Sequence, residues 1–157
     1  MSGGDRFGKI FLNSIATGNV TSPNYPDNYP NSVRKTETIQ VEQGLILSLQ
    51  FTAFDIQADS TCDYDHLTIT DGDGTTLMER SCGSTSDGNI LIGDQSIGSS
   101  LPANITSTSN IVKLVFSTSS STTRPGWSIS WMAVTPGECQ QYVLIFDDLS
   151  ILLKHNS

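Results

Sequence analysis

Positively charged side chains are scarce in this sequence. Its 157 residues include 8 Lys and Arg against 16 Asp and Glu, which gives a formal net charge of −8. A surface of this sign repels both the phosphate backbone of nucleic acids and an anionic membrane. There is also no apolar run long enough to span a bilayer. We therefore expect neither a nucleic-acid partner nor a membrane partner.

The sequence also lacks the residue groupings of common hydrolases. Its two histidines, His66 and His155, do not belong to a metal-binding cluster. The segment Gly93–Gly98 has the wrong spacing for a serine nucleophile elbow. The segment Asp71–Gly74 begins like a calcium loop but lacks the later ligands, so we predict a tight hairpin turn there. These absences predict that the chain is not an enzyme.

Charged residues of either sign are few, and hydroxyl side chains take their place. Asp, Glu, Lys and Arg make up 15% of the chain, whereas about a quarter of it is Ser or Thr. Two sequons, at Asn19 and Asn104, fit the acceptor pattern for N-linked glycans. We expect a secreted, extracellular protein on these grounds, although residues 1–6 lack the apolar segment of a signal peptide.

The sequence is rich in short runs where apolar and polar residues alternate. An alternation of period two is typical of strands with one buried face. The apolar positions of the clearest runs are Leu45, Leu47, Leu49 and Phe51; Leu67 and Ile69; and Trp127, Ile129, Trp131 and Ala133. Turn signals separate the runs, and nothing between residues 18 and 136 has a helical pattern. We predict an all-β fold, an antiparallel β-sandwich of jelly-roll type with roughly six to nine short strands.

The same alternation predicts which side chains face the interior. Because Trp127 and Trp131 have the same parity, we place both on the inner face of the sandwich. The other residues assigned to that face are Leu47, Leu49, Phe51, Leu67, Ile69 and Val115.

The chain divides into three parts by composition. Residues 1–17 are predicted to be an N-terminal lead-in with one possible strand at Lys9–Leu12, and residues 18–136 form the sandwich domain. Residues 137–157 are a tail dense in large apolar side chains. This tail either packs on the sandwich or begins a downstream region.

Three cysteines are present, Cys62, Cys82 and Cys139. Cys62 and Cys82 flank a predicted hairpin, where a disulfide would close about twenty residues and add roughly 3 kcal/mol of stability. The alternative is a pair of buried free thiols, because reduced cysteine packs like a small apolar residue. Cys139 is left over, which suggests a partner in a downstream module or an intermolecular bridge.

Several motifs, taken in order, resemble those of the CUB domain family. The opening Gly18–Pro26, with Tyr29-Pro30 after it, resembles the start of a CUB domain, and Cys62–Asp65 resembles the family's central Cys-x-Tyr-Asp motif. Cys82-Gly83 resembles the second bridge cysteine, and Phe116 with Gly126-Trp127 resembles the closing strands. The resemblance implies an antiparallel jelly-roll sandwich over residues 18 to 136. Like the first CUB modules of complement-initiating proteases, this chain lacks the N-terminal disulfide of most CUB domains.

Many CUB domains hold Ca²⁺ with a Tyr, a Glu and two Asp, so the resemblance also implies a metal site. Carried over position by position, the ligands are Tyr29, Gln57, Asp65 and Ser119. Only one carboxylate remains where the family's calcium binders have three, and Ca²⁺ affinity rises with carboxylate count. We expect calcium binding to be absent or weak unless Asp55, Asp59 or Asp63 takes part.

The resemblance implies a secreted, non-catalytic protein–protein interaction module, the CUB domain of a larger extracellular protein or protease. Its partner would be an extracellular protein or a second copy of the chain. One alternative is a stand-alone carbohydrate-binding protein, similar to spermadhesins or lectins, with a glycan ligand. Another is a regulatory fragment of a protease whose catalytic domain lies outside this chain.

Overall fold

The computed structural model describes residues 15–137. The ten strands in this range are β1 (Thr17–Thr21), β2 (Arg34–Gln40), β3 (Ile46–Ile56), β4 (His66–Asp71), β5 (Thr76–Ser84), β6 (Ile90–Ile92), β7 (Gln95–Gly98), β8 (Ile105–Thr106), β9 (Ile111–Ser117) and β10 (Gly126–Val134). The described part of the chain contains no helix that could cross a membrane. The possible strand at Lys9–Leu12, Cys139 and nearly all of the apolar tail lie outside the described residues.

The strands form two antiparallel layers. In one layer β10 lies between β1 and β3, with β8 on the other side of β3; in the other layer β9 lies between β2 and β4, followed by β5, β6 and β7. Strand β5 joins the layers, because its last residues, Gly83 and Ser84, pair with the end of β3. The predicted all-β antiparallel sandwich is confirmed, with ten strands because three of them are very short.

Three aromatic rings in contact with one another cross the core between the two layers. The ring of Phe116 on β9 meets the ring of Trp127 on β10 edge to face, with centroids 5.9 Å apart. Tyr29 also packs edge to face on Phe116, with ring centroids 5.0 Å apart. Burying such large side chains supplies the main driving force for the sandwich, at about 25 cal/mol per Å² of apolar surface. The largest fully buried side chains are Trp127, Tyr29, Phe54, Phe116, Leu47, Leu49, Ile56, Leu67, Ile69, Ile90, Leu114 and Ile129.

Strand β3 contains a β-bulge that the alternation pattern did not predict. Ser128 of β10 pairs with Ala53 and the next residue, Ile129, pairs with Phe51, so Thr52 has no partner position. The extra residue reverses the parity of the strand, as expected for a bulge. Buried positions therefore change from Leu47, Leu49 and Phe51 before the bulge to Phe54 and Ile56 after it.

The inward assignments hold except at Val115. Trp127 is fully buried, while Trp131 is half-buried at the β1 edge, with its ring lying against the backbone of Gly18. The assignment of Val115 to the inner face is wrong. Its neighbours Leu114 and Phe116 are buried, and successive side chains on a strand point to opposite faces.

Cys62 and Cys82 form a disulfide, with Cα atoms 5.4 Å apart. The bridge ties the loop before β4 to β5, and both cysteines are completely buried. The structure therefore supports the disulfide over the alternative of two free thiols.

The predicted hairpin turn at Asp71–Gly74 is present and is organised by a buried carboxylate. Asp71 accepts hydrogen bonds from the backbone of Gly72 (2.8 Å) and Thr108 (2.6 Å), and from the hydroxyls of Thr108 and Ser109. Burial alone would raise the pKa of the Asp71 carboxyl, but these hydrogen bonds outweigh it and lower the pKa to about 2. The carboxylate thus links the β4–β5 turn to the loop before β9.

Asp71→Asn should remove an acid-sensitive part of the stability. A carboxyl whose pKa is lowered by folding stabilises the folded state above its unfolded pKa near 4, and this stabilisation fades as the pH falls towards 2. We expect Asp71→Asn to cost about 2 kcal/mol at pH 7 and progressively less from pH 4 to pH 2. Urea unfolding at several pH values measures this difference.

Asp27→Asn is the matched control, because the exposed Asp27 carboxylate makes no hydrogen bond within residues 15–137. Its stability should follow that of the wild type at every pH. Parallel pH profiles for Asp71→Asn and the wild type would contradict the assigned role of Asp71.

Gly44 and Gly126 have almost equal φ angles but different surroundings. Substituting them therefore distinguishes the cost of backbone strain from the cost of a steric clash. Gly126 has φ +93° and Gly44 has φ +94°, a region that residues with a Cβ rarely adopt. A Cβ at Gly126 would collide with the side chain of Ser22, whereas a Cβ at Gly44 would meet nothing within 4 Å. We expect Gly44→Ala to cost about 1–2 kcal/mol of unfolding free energy and Gly126→Ala roughly 1–3 kcal/mol more. Chemical denaturation of both variants tests this, and equal losses would contradict it.

Candidate functional site

The four residues that the resemblance singled out lie together at one end of the sandwich. Tyr29 precedes β2, Gln57 follows β3, Asp65 precedes β4 and Ser119 follows β9. They are 28 to 62 residues apart in the bonded pairs, yet they form one hydrogen-bonded group. The structure therefore brings together the four residues that the resemblance singled out.

Asp65 is the centre of the group and is completely buried. Its Oδ2 accepts a hydrogen bond from the Tyr29 hydroxyl at 2.7 Å, and its Oδ1 accepts one from the Ser119 amide at 2.6 Å. Burial raises the pKa of the Tyr29 phenol, and the adjacent Asp65 carboxylate raises it further, although the hydrogen bond from the backbone amide of Gln57 opposes the shift. The phenol therefore stays protonated and remains a donor to Asp65.

Gln57 and Ser119 close the group on its outer side. The backbone amide of Gln57 donates to the Tyr29 hydroxyl oxygen at 3.0 Å, and the Ser119 hydroxyl donates to the side-chain Oε1 of Gln57 at 3.3 Å. The two side chains that replace the family's acidic ligands are thus bonded to each other.

Contacts of both its ring and its backbone fix the position of Tyr29, although it lies in a loop. Its ring packs edge to face on Phe116, and its amide donates to the Arg124 carbonyl at 3.0 Å. The following Pro30 restricts Tyr29 to extended backbone. The aromatic ring therefore belongs to the core while the hydroxyl reaches the loops.

The oxygen atoms of this group are a poor set for Ca²⁺. The ion takes six to eight oxygen ligands and favours carboxylates, whereas here one carboxylate is present and both its oxygens accept protein hydrogen bonds. Within residues 15–137 there is no group of three His, Cys, Asp or Glu side chains that could hold a metal ion.

Three nearby aspartates, Asp55, Asp59 and Asp63, have partners of their own within the protein. Asp55 pairs with Arg124 at 2.6 Å, and Asp63 pairs with Arg80 at 2.8 Å. The Asp59 carboxylate accepts hydrogen bonds from the backbone of its own loop.

The loop between β3 and β4 is organised around Asp59. Its carboxylate accepts hydrogen bonds from the backbone of Thr61 (2.9 Å), Asp63 (3.1 Å) and Tyr64 (3.0 Å). Burial would raise the pKa of Asp59, but these hydrogen bonds outweigh it and lower the pKa. Together with the disulfide at Cys62, they constrain the loop at several positions. The Tyr64 side chain at its end is 61% exposed.

Arg124 is a structural residue of this end that the sequence reasoning missed. Its guanidinium binds Asp55 and Asp87, both at 2.6 Å, and so connects the end of β3, the β5–β6 loop and the β9–β10 loop. The bond to Asp55 is the main cause of its raised pKa. An isolated Arg in a Ser- and Thr-rich segment was the only sequence signal, and it does not identify the partners.

His66 does not form a catalytic pair with the adjacent Asp65. The Asp65 oxygens accept from Tyr29 and Ser119, and His66 Nδ1 is buried without a hydrogen-bond partner among the described residues. Burial, and then Arg80 and Arg34, lower the pKa of the imidazole. His66 and Asp65 do not pair because successive side chains in extended backbone point to opposite faces.

The chain is similar to known proteins over its sandwich domain. A model of the CUB domain family matches residues 13–131. Cubilin of Rattus norvegicus is 31% identical over 121 residues, which cover 77% of this chain and 3% of cubilin. The chain therefore spans only a small fraction of that relative.

Solved structures show the same similarity. The full extracellular region of zebrafish Gpr126/Adgrg6 gives a TM-score of 0.57 at 26% identity, covering 76% of this chain and 14% of that one. The MASP-1 CUB2 domain bound to Ca²⁺ gives a TM-score of 0.55 at 29% identity, covering 73% of this chain and 90% of that one.

The family match agrees with the geometry. The disulfide and the group around Asp65 both lie inside the matched range, and so does the start of the closing strand at Gly126-Trp127. The resemblance found in the sequence is confirmed: this chain belongs to the CUB domain family.

Proposed function

We propose that this chain is a secreted, non-catalytic protein-interaction module and one part of a larger extracellular protein. The similarity to an extracellular region and the small fraction of cubilin that the chain spans both support this proposal. The hydrogen bonds that Asp65 accepts support a structural role for this buried carboxylate, which is next to His66 in the sequence. The partner is an extracellular protein or a second copy of the chain.

The exposed side chain of Tyr64 is the observation that carries the proposal. A tyrosine that is 61% exposed on a loop held by a disulfide and three backbone hydrogen bonds loses little conformational entropy on binding. Tyrosine is also among the residues that contribute most to binding energy at protein interfaces. The net charge of −8 favours a partner with a basic surface.

We further propose that the module works without calcium. The hydrogen bonds among Tyr29, Gln57, Asp65 and Ser119 connect the loops that a metal ion would otherwise connect. The ion pairs of Arg124 tie together a second group of loops at the same end.

Thermal melts in EDTA and in millimolar calcium test this independence. Stabilisation by a ligand scales with the logarithm of one plus its concentration over Kd, so a ligand that binds weakly shifts Tm little. We expect the two wild-type curves to differ by less than about 1 °C. A large upward shift with calcium that Asp65→Ala abolishes would contradict the proposal.

The double variant Gln57→Glu, Ser119→Asp is the informative counterpart. It places three carboxylates around one point and should make stability depend on calcium, with a gain of about 2–3 kcal/mol once calcium exceeds Kd a hundredfold. Adding Asp65→Asn to this variant should remove the gain. A double variant that folds but does not respond to calcium would show that the four residues are not arranged as a ligand set.

Tyr64→Ala should weaken partner binding without unfolding the domain. The partner is first captured on the immobilised chain from extracellular fluid of the source tissue, and its affinity is then measured with purified protein. Sedimentation at increasing concentration covers the case of self-association. We expect a roughly 10- to 30-fold weaker affinity, the usual effect of truncating an interface tyrosine that contributes about 2 kcal/mol.

Ile15→Ala is the matched control, because Ile15 is also a large exposed side chain, at 56%, but precedes β1. It should bind like the wild type, and both variants should unfold at the wild-type urea concentration. Equal binding by Tyr64→Ala and the wild type would overturn the assignment of this loop as the interface.

A further inference from the structure

The outer face of the β1–β10–β3 layer carries a row of polar side chains that the proposed function does not use. In the strand register Asn19 pairs with Ser130, and Ser130 pairs with Gln50. Since Ile105 pairs with Leu49, the preceding residue, Asn104, extends the same row beyond β3. Asn19, Gln50 and Asn104 are all exposed.

This row borders a shallow groove of about 350 Å³. Asn19 and Asn104, which are 85 positions apart in the sequence, lie on opposite sides of the groove. They are also the asparagines of the two sequons, Asn19-Val20-Thr21 and Asn104-Ile105-Thr106. Folding therefore brings both acceptor asparagines to one surface, a relation that the sequence pattern alone does not contain.

The side-chain amides of both asparagines are available for modification. Asn19 uses its Oδ1 to accept a hydrogen bond from the Ser130 hydroxyl at 2.8 Å, and its Nδ2 makes no hydrogen bond within residues 15–137. Asn104 makes no side-chain hydrogen bond within residues 15–137. By contrast, Asn28 and Asn110 donate their Nδ2 hydrogens to Thr123 and Val41.

We propose that the chain's own N-linked glycans, attached at Asn19 and Asn104, occupy this groove and shield this face of the sandwich. The proposal rests on the extracellular location proposed above. In the transfer from a lipid-pyrophosphate oligosaccharide, a bond forms between Nδ2 and the sugar C1, and the bond from C1 to the pyrophosphate oxygen breaks. The amide loses one proton, and the lipid pyrophosphate leaves. The hydrogen bond from Ser130 to Asn19 Oδ1 is compatible with the product.

The two glycans divide the surface of the domain. Their attachment points are about 14 Å apart, three strand spacings, so branched sugars cover the strip between them. Gln50, in the middle of the strip, is six residues from the end of β3, or about 20 Å along the strand. The loop end with Tyr64 is therefore left free, and the glycans restrict a protein partner to that end or to the other layer.

The first experiment counts the glycans. The chain is expressed with a supplied signal peptide in a eukaryotic secretory host, so that modification does not depend on its natural location. Intact mass should show two N-linked glycans, one in Asn19→Gln, one in Asn104→Gln and none in the double variant. Asn31→Gln, at an exposed asparagine outside a sequon, should keep both. A single glycan or none on the folded wild-type chain would overturn the proposal.

The second experiment measures the shielding. In a Cys139→Ser background, Gln50→Cys should react with a large polymer maleimide at least about tenfold more slowly before than after treatment with peptide N-glycosidase. Thr36→Cys, at an exposed position on β2 in the other layer, should react at the same rate in both states. Equal rates at Gln50→Cys, with both glycans present, would show that the glycans do not cover the groove.

Two further outcomes keep this proposal separate from the proposed function. The unglycosylated double variant should still bind the partner and should still lose affinity when Tyr64→Ala is added; failure there contradicts the interface and leaves the shielding result intact. Binding of free oligosaccharide to the unglycosylated chain, lost when the Gln50→Cys variant is labelled, would instead make the groove a ligand site and overturn the proposal.

Discussion

The buried hydrogen bond between Tyr29 and Asp65 is the contact on which the organisation of the loop end depends. A carboxylate that is fully removed from water is costly unless hydrogen-bond donors surround it. The Tyr29 hydroxyl and the Ser119 amide supply those donors at 2.7 and 2.6 Å. Because the Tyr29 ring also packs on Phe116, a single side chain connects the aromatic core to three loops.

The other carboxylates serve the same purpose on a smaller scale. Asp59 closes the loop that carries Tyr64, Asp71 joins the β4–β5 turn to the loop before β9, and Asp55 holds Arg124. An acidic protein could use such groups to collect cations, but here they are used to order irregular backbone. This explains how loops with few apolar side chains can present a rigid surface, which is what we propose a binding partner recognises.

Different surfaces of the sandwich carry different kinds of side chain. One layer faces outwards with hydroxyl and amide side chains and carries both sequons, while the loop end carries an exposed tyrosine beside acidic groups. The exposed positions of β2, at the edge of the other layer, include Arg34 and Lys35. Charges at a sheet edge discourage pairing with other strands, so this edge is unsuited to association by strand addition.

The sequence by itself determined the fold class, the disulfide partners as one of two alternatives and most inward-facing residues, and the resemblance to the CUB family named the four residues that meet around Asp65. These features depend on the local alternation of apolar and polar residues, or on short motifs that can be recognised in the sequence. Only the tertiary structure decided the bulge at Thr52, the outward position of Val115, the partners of Arg124 and the meeting of Asn19 with Asn104 at one groove. Each of these depends on strand register and on contacts between residues far apart in sequence, and a single bulge or layer assignment changes them without altering any local pattern.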